Sequence, residues 1–371
     1  MNANKTFNLK QAGAKGDGKC DDTATFQNLL ELAAESQGTI EVPAGTYCVG
    51  SLKMHPYTGI TGSPTYGWKG FAGSVLRLVD PEAKSLLDIT LAIGARVQGI
   101  CLDGQDIGKG IHGILVAKPD FGVTEDSTVI DGCKISNFTG DGVHLRRIWC
   151  YRVRGCMLGN NHGHGLAVEG WDGFVLDNWL SMNRGAGFCS IGENNAVTMI
   201  GNRIEFNQAG GVKILNGSHY NITGNYFDRC NPGIFFVRTL DHKPPTGRIV
   251  GRVGYSTITG NILYRSGHPL WENQDENSRA HIVLRGVRGV AVTGNTLVVG
   301  GDDYALGGLD KNPEPSWSPD YGIIADSLRN VIIKDNNMDS GAIKKLILDY
   351  GSHGPGVMIK DNVGELFELE K

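Results

Sequence analysis

GCKISNFTGDGVHLRRIWCYRVR (132–154), GCMLGNNHGHGLAVEGWDGFVL (155–176), DNWLSMNRGAGFCSIGENNAVTMI (177–200) and GNRIEFNQAGGVKILNGSHYNIT (201–223) are four versions of one phrase, and Gly224-Asn225 opens a fifth. Measured at Cys133, Cys156, Asn178, Asn202 and Asn225, the steps are 23, 22, 24 and 23 residues. A second series, Gly142, Gly165, Gly187, Gly211 and Gly233, keeps the period and opens a short apolar run each time. A third, Asn137, Asn160, Asn183 and Asn207, lies between them. Three turn markers per repeat of this length describe one coil of a solenoid. Helical repeats of the common kinds need roughly 33 residues or more, and the framework of leucine-rich repeats is missing.

The runs between markers, Val143–Leu145, Leu166–Val168, Val212–Leu215 and Ile234–Val237, are too short for helices and rich in β-branched and aromatic residues. They read as strands, and the fold class is an all-β parallel β-helix. Asparagine tolerates left-handed bends and its amides stack along an axis, so the Asn series is structural. With Val143, Leu166, Phe188, Val212 and Ile234 facing inward, alternation puts His144, Arg146, Glu169 and Lys213 on one outward face. Coils about 4.8 Å apart would let these groups converge on one sugar unit.

The N-terminus has its own pattern. A Gly-rich turn, Ala12–Asp22, leads into a helix with the apolar stripe Phe26, Leu29, Leu30, Ala33 and Ala34. Asp21, Asp22 and Thr23 offer cap oxygens. Gly38–Tyr47 is a strand, a Pro-Gly turn and a second strand, and the helix would cover the open end of the column. One domain is expected over 1–371: a cap and first coil (1–50), regular coils (51–238), and coils with long insertions (239–371). After Asn225 the markers Gly260-Asn261, Gly294-Asn295, Asp335-Asn336 and Asp361-Asn362 stand 26 to 41 residues apart. The extra length lies in Thr239–Ser256, Ser266–Ala280 and Gly300–Tyr321; with the earlier Gly59–Val75, these are expected to wall a cleft.

Fifty-four glycines in 371 residues are spaced at bends, and 40% apolar residues supply a core. A net charge of -4 argues against nucleic acid or an anionic membrane as partner. The polar start, Met1–Lys10, and the lack of a long apolar run suggest a cytoplasmic protein, or an exported one whose leader has been removed. Eight cysteines without zinc-type pairing read as mostly reduced, buried small side chains, and no cofactor is expected.

The string FNLKQAGAKGDGKCDDTATFQNLLELAAESQGTIEVPAGTY (7–47) resembles the N-terminal cap of the pectate-lyase-like, or pectin lyase-fold, superfamily. That resemblance implies a right-handed β-helix with a capping α-helix. Its members include polygalacturonases, polysaccharide lyases, alginate C5-epimerases, fructotransferases and phage tailspikes. Asp141 in Gly140-Asp141-Gly142 and His164 in Gly163-His164-Gly165, one coil apart, resemble part of the polygalacturonase pattern. Gly140 stands where that pattern has a first aspartate, no Asp lies around Ile111–Gly113, and Lys213-Ile214 is the nearest match to Arg-Ile-Lys. The epimerase signature Asp-Pro-His-Glu falls at His144-Leu145-Arg146-Arg147 and is not matched, which weighs against epimerisation. A trimer is implied only through the fructotransferases.

Inverting hydrolysis needs an acid and a base with carboxyls roughly 6.5–9.5 Å apart, and Asp141 with Glu169 is the expected pair. The expected catalytic set is Asp141, His164, Glu169, His144 and Lys213. Arg146, Trp171, Glu193, Arg238 and Trp271 are expected to bind substrate, with Asp172 in reserve and Asp228, Arg229 and Asp241 extending the face. A lyase would instead use a base at C5 of a uronate and cations such as His144, Arg146, Lys213 and Arg238, without metal. Trp149, Trp171, Trp179, Trp271, Trp317 and Tyr304 offer rings for sugar stacking. The expectation is a carbohydrate-active enzyme on an oligo- or polysaccharide, a glycoside hydrolase first and a uronate lyase second. Intramolecular fructosyl or glycosyl transfer, or non-catalytic tailspike-like glycan binding, are the alternatives.

Overall fold

The computed structural model describes residues 5–64, 66–68, 70–238, 253–267, 275–300 and 318–367. Two compact units divide the chain, Met1–Arg184 and Gly185–Lys371. Both are right-handed parallel β-helix. No helix among the described residues is long and apolar enough to cross a membrane.

In the first unit each coil contributes three short strands, so three columns of inward side chains form. Phe7, Ile40, Ile60, Val97, Ile130, Val153 and Val175 stack in register. Leu52, Leu87, Ile114, Val143 and Leu166 form a second column. Tyr47, Leu76, Leu102, Ile135, Leu158 and Leu180 form the third. All are buried. Because a parallel strand repeats the same outward–inward alternation in every coil, one apolar residue per strand suffices to build a continuous core. Strands exceed the expected runs: Val143–Arg154 and Leu166–Leu176 carry on past bends at Arg147, Cys150 and Asp172, which adopt left-handed backbone angles.

The helix Thr23–Ser36 buries Phe26, Leu29, Leu30 and Ala33, with Ala34 half-buried. Its N-cap Asp22 makes no side-chain cap bond; the carboxylate accepts from the backbone N–H of Lys15 and Gly16 at 2.7 and 2.9 Å, which pins the Gly-rich turn. Asp21 accepts from the Thr23 N–H.

The second unit repeats the scheme. Phe188, Val212, Ile234, Ile282, Ile323 and Ile347 stack, as do Met199, Ile222, Ile258, Val292, Ile333 and Ile359, and Ile204, Phe227, Leu263 and Leu297. Most of the three late excursions, including Asp241, Trp271, Tyr304 and Trp317, lies outside the described residues. The eight cysteines form no disulfide.

Candidate functional site

Ile114, Val143 and Leu166 are register partners on three successive coils of the first unit. Two residues upstream of each stand His112, Asp141 and His164, where the strands begin. The same stacking step joins them: the Gly113 N–H donates to the Asp141 carbonyl at 3.0 Å, and the Gly142 N–H to the His164 carbonyl at 2.9 Å. Asp141 is buried, and its carboxylate is held from two sides. Oδ1 accepts the His164 backbone N–H at 2.6 Å, and Oδ2 lies 2.7 Å from Nδ1 of His144. A Cβ on Gly163 would come within 2.2 Å of Oδ1, so the glycine clears the space this carboxylate occupies.

The imidazoles of His112 and His144 lie 4.4 Å apart between centroids, at 39°. Nδ1 of His112 accepts the Asp141 backbone N–H at 3.0 Å and stands 3.5 Å from Asp141 Oδ2. Burial pushes the Asp141 carboxyl up, but the His144 bond, the charge of His164 and the His164 N–H outweigh it, and Asp141 ends below the usual carboxylate range. Burial pushes His112 down to about 4, against the pull of Asp141. Ligand-type atoms of His112, Asp141 and His144 all fall within 4.8 Å of one another. In the bonds that join the three, both imidazoles use Nδ1.

Farther along the same outward face, Arg146 and Glu169 are register partners. Nε of Arg146 lies 3.3 Å from Glu169 Oε2, and Nε of Arg147 lies 3.6 Å from Oε1. Glu169 is therefore clasped by two guanidiniums, and Asp141 is committed to His144. What the first unit assembles is an Asp–His dyad with a second imidazole beside it and Arg146 two residues downstream.

Trp171 stacks on Phe121 at 4.1 Å and 4°, and Trp149 meets its edge while donating Nε1–H to Asp172 at 2.9 Å. Phe121 belongs to the loop between the strands His112–Ala117 and Thr128–Asp131, so this loop stands beside the Arg147–Glu169 cluster; its Lys118 carbonyl lies 3.5 Å from Arg147 Nη1. The loop Gly59–Val75, expected to wall the cleft, lies instead over the third strand series. Trp68 packs edge-on against Trp179 at 4.5 Å, and the carbonyl of Gly67 accepts from Lys134 Nζ at 2.7 Å. Trp179 and Lys134 face outward on that series, and the loop's rings cover them.

Lys213, Glu193 and Arg238 belong to the second unit. Lys213 is half-buried in a column with Cys189, Phe235 and Val283, its Nζ 5.8 Å above the Phe235 ring. Glu193 accepts from Asn195 Nδ2 at 3.1 Å, and Arg238 is exposed. Asp228 and Arg229 do not extend that face. They sit at the Tyr226–Asp228 strand of a different series and are buried, with Nη1 of Arg229 2.8 Å from both Asp228 oxygens. Trp271 lies outside the described residues.

Among known proteins, a family model described as "Right handed beta helix region" matches residues 98–242 and 148–302. Alginate lyase 7 of Azotobacter vinelandii is 27% identical over 202 residues, and mannuronan C5-epimerase AlgE3 of the same organism is 25% identical over 260. These alignments cover 48% and 62% of this chain but 22% and 14% of those proteins, so the chain spans a small part of the curated relatives it matches. DFA-IIIase from Arthrobacter chlorophenolicus A6, solved without its lid in complex with GF2, superposes with a TM-score of 0.64 at 13% identity, covering 98% of this chain and 99% of that one. Stacked columns of inward residues, one strand register per coil, and a family model covering more than half of the sequence lead to one conclusion: the chain belongs to the right-handed β-helix family.

Proposed function

We propose that this protein acts on a uronate-containing polysaccharide by removing the proton at C5, with His144 as base, and cleaves the chain by β-elimination. The observation that carries this reading is the 2.7 Å contact between Asp141 Oδ2 and His144 Nδ1. An ionised carboxylate accepts the hydrogen bond of His144 Nδ1–H, which keeps the ring proton on Nδ1 and leaves Nε2, with no partner among the described residues, as a lone pair. The C5 hydrogen passes to Nε2, the C5 electron pair moves toward C4, and the C4–O4 bond breaks with the proton returning to O4 from the same imidazole. One dyad can thus carry both proton steps of a syn elimination, whereas epimerisation needs an acid on the opposite ring face. Arg146, half-exposed beside the dyad, is suited to a uronate carboxylate. The similarity to an alginate lyase and to mannuronan epimerases supports the same substrate class.

Hydrolysis by Asp141 and Glu169 is less well supported, since each carboxylate is already engaged by cationic or N–H groups. The test is a panel of alginate, pectate and neutral glycans, read for an unsaturated product absorbing in the near ultraviolet. His144→Gln is expected to lower that signal at least ~100-fold with the fold retained. New reducing ends without absorbance would return the hydrolase reading, and solvent deuterium at C5 without cleavage would mean epimerisation.

A further inference from the structure

The two imidazoles beside Asp141 hold their protons on opposite nitrogens. A backbone amide can only donate, so the Asp141 N–H that reaches Nδ1 of His112 at 3.0 Å requires a lone pair there. The single proton of His112 therefore sits on Nε2. A second proton on Nδ1 would face the amide hydrogen directly and would break the bond that ties one coil to the next. His144 is the reverse, with Nδ1–H toward the carboxylate at 2.7 Å and the lone pair on Nε2. The rings lie 4.4 Å apart, tilted by 39°, and both side chains keep about a fifth of their surface open, 21% and 20%. Neither Nε2 has a hydrogen-bond partner among the described residues. A lone pair and an N–H thus stand side by side at the mouth of the same strands.

We infer that His112 is a permanently neutral Nε2–H donor that hydrogen-bonds the carboxylate of the uronate while His144 removes the C5 proton. As that proton leaves, negative charge builds on the carboxylate oxygens, and a donor already in place stabilises it without reorganisation. A neutral imidazole suits this task, because a charged one beside His144 would disfavour protonation of the base. Burial acts in the same direction as the amide and holds His112 near 4.

The kinetic part rests on the uronate reading, and the protonation state does not, so the two are tested separately. Long-range proton–nitrogen spectra of the intact protein labelled in histidine report the ring state between about pH 5 and 8. The expected result is one ring, lost in His112→Gln, that stays neutral with its proton on Nε2 throughout. A His112 ring that titrates in this window or carries its proton on Nδ1 overturns the inference, whatever the substrate. In uronan cleavage, His112→Gln keeps an acceptor for the Asp141 amide and a donor for substrate, and is expected within about 10-fold of the parent kcat. His112→Phe keeps a ring without a donor and is expected to lose about 100-fold in kcat. Equal activity of the Phe variant and the parent refutes the donor role. Absence of any uronan product from the parent refutes the substrate class alone, and the ring spectrum still decides the state of His112.

Discussion

His281 shows how one side chain can set a pH response. It lies on the strand Ala280–Arg285, fully buried, with no hydrogen-bond partner for either ring nitrogen among the described residues. Burial alone drives it down to about 3. A depressed histidine contributes stability above its unfolded value of about 6.5, and this stability is lost as pH falls, because the unfolded chain takes up a proton the native state refuses. From pH 7 to about pH 5 the second unit should lose roughly 2 kcal/mol from this residue. His281→Met should remove that loss in urea unfolding, and an unchanged pH dependence in the variant would contradict the assignment. Asp141 and His164 could be picked out from the primary structure because Gly-X-Gly marks the strand entrance. His112 holds the same place one coil earlier, where the polygalacturonase pattern would put an aspartate. A motif keyed to residue type passes over it, and at 29 residues before Asp141 it also falls outside the regular step; the register of Ile114 with Val143 brings it into place.

Among elements, the asparagine ladder ties successive coils most visibly. In the second unit Asn202, Asn225, Asn261, Asn295, Asn336 and Asn362 pass an amide hydrogen bond from each Nδ2 to the next Oδ1 at 2.8–3.0 Å. Each Oδ1 also takes the backbone N–H of the preceding asparagine, as Asn261 does from Asn225 at 3.0 Å. Truncating one buried member strands a donor above it and an acceptor below. Asn261→Ala is expected to cost about 3 kcal/mol, measured as a shift of the denaturation midpoint with unchanged slope; a cost under about 1 kcal/mol would mean water replaces the amide. That ladder runs through the Gly-Asn markers, and members of the middle series divide between bends and stacking positions. Asn137 and Asn160 take left-handed bends, while Asn161 reaches Asn183 at 3.0 Å. A one-residue difference separates a bend from a stacking position, and a coil period that varies between 22 and 24 cannot resolve it.

At the scale of the molecule, a column of parallel strands presents unpaired edges that must be covered. The helix Thr23–Ser36 packs against the first strands of two series, Thr6–Asn8 and Leu52–Lys53, and against Thr39–Glu41 beside them, with its own Leu30 fully buried. Leu30→Asp should lift the helix and shift the protein toward larger species in size-exclusion chromatography; an elution identical to the parent would show that the edge is protected in another way. The linear chain carried the β-helix, its cap, the inward columns and the Asp141–His164 neighbourhood, because a solenoid writes its period directly into residue spacing. It could not carry the roles. Whether Asp141 is an acid or the partner of a base depends on His144 lying 2.7 Å from its oxygen, and whether Glu169 is available depends on two guanidiniums closing on it. Those facts are set by side-chain direction and burial across coils, which spacing alone leaves open.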